Sequence, residues 1–252
     1  MTRILLAGAT GAIGSRLVPL LVEAGYDVHG TTRSEARTHA LRAAGVSPII
    51  VDVFDAPALA RIVAAIHPEV VIHQLTDLPP GLDPGRMAEA LVRNARIRSE
   101  GTRNLVAAAL GAGARRLVSQ SIAWVYAPGG EPHSEADPLD LHAEGTRALT
   151  VEGVVTLERL TTASPPLEGV VLRYGQIYGP GTGRDAPTGS APLHVDAAAH
   201  AALLAIDRAK PGIFNIAGES TFVSSAKARG ELGWDPRFRL DARQAARSPS
   251  GR

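Results

Sequence analysis

The sequence has no cysteine, two methionines and two tryptophans. Without cysteine, disulfides, thiolate nucleophiles and cysteine-bound zinc are excluded. Lysine is almost missing as well. Lys210 is the first in the chain and Lys227 the second, so chemistry in the N-terminal part must proceed without an ammonium group. Neither sign of charge dominates: 26 basic residues stand against 25 acidic ones, a formal net charge of +1. That balance offers no general attraction to nucleic acid or to an anionic membrane. Ile4–Ala7 is far too short to span a bilayer, no other run reaches the ~20 apolar residues required, and no signal peptide is expected ahead of the first strand. The expectation is a cytoplasmic protein with neither nucleic-acid nor membrane partners. No H-x-x-x-H or H-E-x-x-H spacing occurs, so no metal site is expected.

What is present is an alternation. Short runs rich in Val and Ile are separated by longer Ala/Leu segments of helical spacing, the pattern of parallel strands joined by helices. The 252 residues, 45% of them hydrophobic, suffice for one large α/β domain with a small appendage. Strands are predicted at Arg3–Ala7, Asp27–Thr31, Ser47–Val51, Val70–Gln74, Arg116–Ser121, Gly169–Arg173 and Gly212–Ile216. Helices are predicted at Ile13–Ala24, Glu35–Ala44, Ala56–Ile66, Arg86–Ala112, Gly145–Thr162 and Val195–Ala209. Pro- and Gly-rich loops punctuate them. The fold class is therefore α/β: a Rossmann-like, doubly wound parallel sheet with a reduced C-terminal substrate subdomain. Residues 1–178 form the dinucleotide-binding part and residues 179–241 the reduced subdomain, intertwined with it. Residues 242–252, rich in Arg, Ser, Pro and Gly, read as a disordered tail.

The first strand runs straight into Gly8-Ala9-Thr10-Gly11-Ala12-Ile13-Gly14, which opens the first helix. Glycine removes the Cβ that would hold a pyrophosphate off the backbone, and the helix N-terminus offers free N–H groups and a positive dipole end. Strand, turn and helix in this order mark a cofactor-binding corner formed by Gly8, Thr10, Gly11, Ala12, Ile13 and Gly14. The second strand ends Thr31-Thr32-Arg33. A carboxylate for the adenosine ribose would stand at Thr32 and is missing, whereas Arg33 suits a 2′-phosphate through paired, charge-assisted bonds. The cofactor is therefore expected to be NADP(H) rather than NAD(H). Asp52 and Val53, after the third strand, are placed at the adenine edge, and Leu75 and Thr76 where the cofactor passes the fourth strand. Ser119, Gln120 and Ser121 are candidates to bond a carbonyl or the nicotinamide amide.

With these motifs the chain resembles the extended short-chain dehydrogenase/reductases, the group of NAD-dependent epimerases and dehydratases. Further matches are Val71-Ile72-His73, Gly101-Thr102-Arg103-Asn104-Leu105, Arg116-Leu117-Val118 and Val125-Tyr126. They continue through Leu172-Arg173-Tyr174-Gly175-Gln176-Ile177-Tyr178-Gly179-Pro180-Gly181, His194-Val195-Asp196, Phe214-Asn215-Ile216 and Glu231-Leu232-Gly233-Trp234. The resemblance covers nearly the whole chain and adds Ser119, Tyr174, Gly175 and Ile177 to the cofactor-binding set. It also implies a homodimer through the two long helices, and a structural role for His194 and Asp196.

The family uses a tyrosine acid/base with a lysine four residues later. If Glu158 matches the family's glutamate, the tyrosine position is Thr150 and the lysine position Val154, and no Y-x-x-x-K occurs anywhere. The family's hydroxyl residue falls at Ile122, next to Ser121, and its helix asparagine at Arg98. Ser121 and Tyr126 remain as the catalytic candidates, with His133, His142 and Glu152 behind them. The expected function is an atypical NADP(H)-dependent oxidoreductase acting on a small carbonyl-type substrate. The alternatives are a non-catalytic NADP(H)-binding sensor or regulatory module, and a nucleotide-sugar epimerase or dehydratase.

Overall fold

The computed structural model describes residues 1–249. Nine strands and eight α-helices are assigned among them. Seven strands, β1 (Arg3–Ala7), β2 (Asp27–Thr32), β3 (Ser47–Ile50), β4 (Val70–His73), β5 (Arg116–Ile122), β6 (Glu168–Tyr174) and β9 (Gly212–Ile216), form one parallel sheet in the order β3-β2-β1-β4-β5-β6-β9. The chain steps from β1 outward to β3, then crosses back to β4 on the other side of β1. That reversal opens a crevice at the carboxyl ends of β1 and β4, where open α/β sheets bind ligands.

The strands read as continuous apolar runs because both faces are covered. In β1 the side chains alternate between two cores: Ile4 and Leu6 face one, Leu5 and Ala7 the other. Helices α1 (Ala12–Glu23) and α7 (Val195–Asp207) pack together over the first face. Helices α3 (Ala56–Ile66), α5 (Thr102–Gly111) and α6 (Gly145–Thr162) cover the second, while α2 (Thr38–Ala43) packs beside β3. The predicted helix Arg86–Ala112 is α4 (Met87–Arg96) and α5 joined by a π-turn at Ile97–Gly101. A Cβ on Gly101 would lie 3.3 Å from Val53, so the bare glycine lets the chain after β3 press against the turn.

Residues 179–241 pack into the main sheet and its cores. β9 pairs with β6, α7 packs on α1, and Leu232 and Trp234 join the core that holds Ile4. What stands outside the main sheet is a two-stranded parallel pair, β7 (Gln176–Tyr178) with β8 (Pro192–His194), and the loops around it. The expectation of a disordered tail from residue 242 is corrected. Asp241 and Gln244 form a capping box that starts α8 (Ala242–Ala246). Gln244 then donates to Glu23 at 2.7 Å, and Arg16 to Ser248 at 3.3 Å. The last three residues of that predicted tail, 250–252, lie outside the described residues.

Candidate functional site

β1 delivers the chain into a corner made of backbone. Gly8 has φ +90°, a conformation that L side chains rarely adopt, and a Cβ there would sit 2.7 Å from the Gln74 carbonyl oxygen. Gly14 meets the same corner from the helix: its Cβ would lie 2.1 Å from the Gly8 carbonyl oxygen. The Gly11 amide donates to Gly8 O at 3.0 Å, and the Gly8 amide to Thr31 Oγ1 at 3.2 Å, which ties the corner to β2. No side chain caps α1. Its first-turn amides, from Ala12, Ile13 and Gly14, remain for a ligand, and the positive end of the helix selects an anion. A pyrophosphate fits this cradle.

A groove extends from the corner. Of the residues expected there, Gly8, Thr10, Gly11, Arg33, Asp52, Val53, Leu75 and Thr76 line it. Arg33 is well exposed, and its nearest carboxylate, Asp77, stands 3.9 Å away. The sequence reading did not count Thr31, Arg37, Phe54 or Gln74 among the site residues, although all four line the groove. Arg37 follows Arg33 by four residues and donates to Thr10 O at 3.2 Å, a pairing that helical spacing after the strand would have signalled. Asp52 accepts from the Phe54 amide at 2.9 Å, so its carboxylate also shapes its own turn.

At the end of β4, His73 is fully buried. The Leu75 amide donates to its Nδ1 at 3.2 Å, which leaves Nε2–H for Thr102 Oγ1 at 3.1 Å. Burial, with the Arg98 guanidinium nearby, pushes the His73 pKa down to about 4. The Arg98 stem lies against Gly153 of α6, and burial lowers its own pKa to about 10.

Several expected site residues stand elsewhere. Ser121 and Tyr126, the catalytic candidates, belong to a buried polar network. Ser121 donates to Glu158 at 2.8 Å. Glu158 holds Arg173 through contacts of 2.8 and 2.6 Å, and Arg173 donates to the Tyr126 hydroxyl at 2.8 Å. Tyr126 in turn donates to Asn215 at 2.6 Å and stacks on His133. Burial raises the pKa of Tyr126. Both hydroxyls are engaged and withdrawn from solvent, so neither serves as an acid or base. Ser119 is likewise buried and accepts from Thr161 of α6 at 2.9 Å. Tyr174 is buried in the core beneath the groove. Gly175 closes against the Ala191 carbonyl, 2.0 Å from where a Cβ would sit, and Ile177 pairs with Leu193. None of these four lines the groove. His142 and Glu152 are exposed. His194 caps α7, and Asp196 accepts from Arg16 at 2.6 Å, the structural roles expected of them.

On α6, Thr150 donates to Thr146 O at 3.1 Å and Val154 is buried among Val125 and Val151, so neither position carries an ionisable group. A second groove lies beyond β7 and β9. Tyr178, His194, Arg229 and Arg239 are among its lining residues, and neither arginine has a carboxylate within salt-bridge distance among the described residues.

Residues 4–206 match the model of the NAD dependent epimerase/dehydratase family. A curated relative, the 3-diazoavenalumate denitrifying reductase of a Streptomyces species, is 43% identical over 241 residues, covering 85% of this chain and 75% of the relative. Among solved structures, UDP-glucose 4-epimerase of Thermotoga maritima with UDP-glucose superposes with a TM-score of 0.74 at 19% identity, covering 99% of this chain and 97% of that one. The Thermus thermophilus UDP-glucose 4-epimerase in complex with NAD gives 0.74 at 21%, covering 98% and 97%. At such identities the structural likeness speaks to the fold.

Proposed function

The chain belongs to the NAD-dependent epimerase/dehydratase family, and from that premise we propose that it is an NADPH-dependent reductase that removes nitrogen from a diazo-bearing carboxylate. The observation that carries this reading is that α6 has Thr150 and Val154 where the family's tyrosine and lysine would stand. Reduction of a carbonyl needs a proton at oxygen as well as a hydride, and here neither Thr150 nor Val154 can give one. Reduced nicotinamide, when bound, would supply a hydride to the carbon that bears the diazonium group, so that a C–H bond would form as the C–N bond broke, N2 would leave with the bonding pair, and the cofactor would end oxidised. Charge and atoms balance without a proton from the protein. The relative's name, which joins a diazo group, an acid anion and a denitrifying reductase, supports the same acceptor class.

The chain's own residues then bind and orient. The amides of Ala12, Ile13 and Gly14 take the pyrophosphate. Arg33 and Arg37 take the 2′-phosphate, which is the reason for preferring NADPH to NADH. Arg229 and Arg239, in the second groove, offer guanidinium groups to the substrate carboxylate.

The test mixes the protein with NADPH and, in turn, a diazotised aromatic carboxylate, a panel of aldehydes and ketones, and UDP-glucose, with heat-denatured protein as control. Nicotinamide oxidation with stoichiometric N2 and the hydrogen-substituted acid is expected for the first alone. Turnover of carbonyls in its place would restore the carbonyl reductase reading. Tight NADPH binding with no turnover on any arm would make the protein a sensor.

A further inference from the structure

β4 alternates its side chains between the two cores, and Val70, Ile72 and Gln74 point to the face covered by α1 and α7. A leucine at 74 would match that surface. A primary amide stands there instead, with 4% of its surface exposed. Its Nε2 donates to the Tyr174 hydroxyl at 3.3 Å. Its Oε1 is buried and has no hydrogen-bond partner among the described residues. Buried amide oxygens in folded proteins are almost always paired, so an orphan on the wall of a ligand groove marks a missing donor.

The sheet order says which part of a ligand would bring it. Arg33 and Asp52 mark the adenosine end over β2 and β3, and the glycine corner holds the pyrophosphate between β1 and β4. Gln74 begins where that corner ends, since the Gly8 Cα faces its carbonyl. Its side chain meets the hydroxyl of Tyr174, which extends from β6 over β5. The half of a dinucleotide that remains, the nicotinamide riboside, must pass over these strands.

We propose that Gln74 is a positioning residue for the reduced cofactor: its Oε1 accepts a hydrogen bond from the nicotinamide riboside, while Tyr174 locks the amide from behind. This rests on the nicotinamide part of the proposed function and not on the identity of the hydride acceptor. The donors available are the carboxamide NH2 and the ribose hydroxyls, and the experiment separates them.

The measurement is equilibrium binding by calorimetry, with wild type, Gln74→Leu and, as a second isosteric variant, Gln74→Met, alongside melting of each apo protein. The probes are NADPH, 2′,5′-ADP, which lacks the nicotinamide riboside, and the 3-acetylpyridine analogue of NADPH, in which a methyl replaces the NH2. Loss of one neutral hydrogen bond corresponds to about a five- to tenfold weaker Kd for NADPH. Binding of 2′,5′-ADP stays within about twofold, and a cooperative apo melting transition shows that each variant, which also loses the bond from Nε2 to Tyr174, is folded. If the carboxamide is the donor, wild type and variants bind the acetylpyridine analogue alike. If a ribose hydroxyl is, the difference persists. Unchanged NADPH affinity in both variants, or equal loss of NADPH and 2′,5′-ADP, overturns the proposal. Failure of the wild type to bind NADPH or NADH would instead overturn the cofactor reading itself.

Discussion

His73 links one buried ring to both folding and binding. Its folded pKa, about 4, lies below the usual histidine value of ~6.5, so between those pH values the unfolded chain binds a proton that the native one refuses. The contribution of this ring to stability is thus complete above pH ~6.5 and is lost as pH falls toward ~4, by about 3 kcal/mol in total. Urea unfolding at pH 7 and pH 5 should show this slope, and His73→Asn should flatten it. Protonated Nδ1 could no longer accept from the Leu75 amide, so NADPH affinity of the folded protein should hold down to about pH 5 and fall only as pH approaches about 4. Arg33 gives a second residue-scale prediction. Arg33→Asp should weaken NADPH by at least tenfold more than NADH, and equal losses would remove the basis for the phosphate preference. The places of Gly8, Gly11 and Arg33 on the groove were legible in the sequence because they are set locally: a turn needs no Cβ, and a strand end leaves its next residue at the sheet's carboxyl edge. Gln74 was not, because its meaning depends on Tyr174, one hundred residues later, leaving one amide atom unpaired.

At the level of elements, α6 has the boundaries its helical periodicity predicts, Gly145–Thr162, but not the chemistry of its family counterpart. It buries Glu158 over two paired strand residues, Ser121 of β5 and Arg173 of β6. An acid and a guanidinium that face each other away from water hold the helix in register with the sheet. Removing one partner leaves the other charge uncompensated. Glu158→Ala should therefore cost about 3–5 kcal/mol in chemical denaturation, far more than the same change at the exposed Glu152. Thr150 and Val154 sit on the same helix, and their types, non-ionisable at both positions, were legible in the sequence alone. That Ser121 and Tyr126 are structural follows from the tertiary arrangement, since two residues at strand ends look the same in sequence whether they face a groove or a buried arginine.

On the scale of the whole molecule, one sheet carries one continuous pair of cores from Ile4 to Trp234. Melting should be a single transition. A ligand that binds the native state alone raises stability by about 2.7 kcal/mol at a hundredfold excess over Kd. NADPH should accordingly move the whole transition up by about 5–10 °C, without splitting it. A second, unshifted transition would show that the part after residue 179 melts by itself. Alternating apolar runs and glycine spacing determined the layered α/β fold and the tight glycine corner, and the sequence itself shows that no Y-x-x-x-K spacing occurs. Each depends on neighbours within a turn or a strand. Which hydroxyls are engaged, where the C-terminal segment packs and which amide waits for a ligand were decided by tertiary structure. Those outcomes depend on contacts between residues far apart in the chain, and local sequence pattern carries no record of the partner.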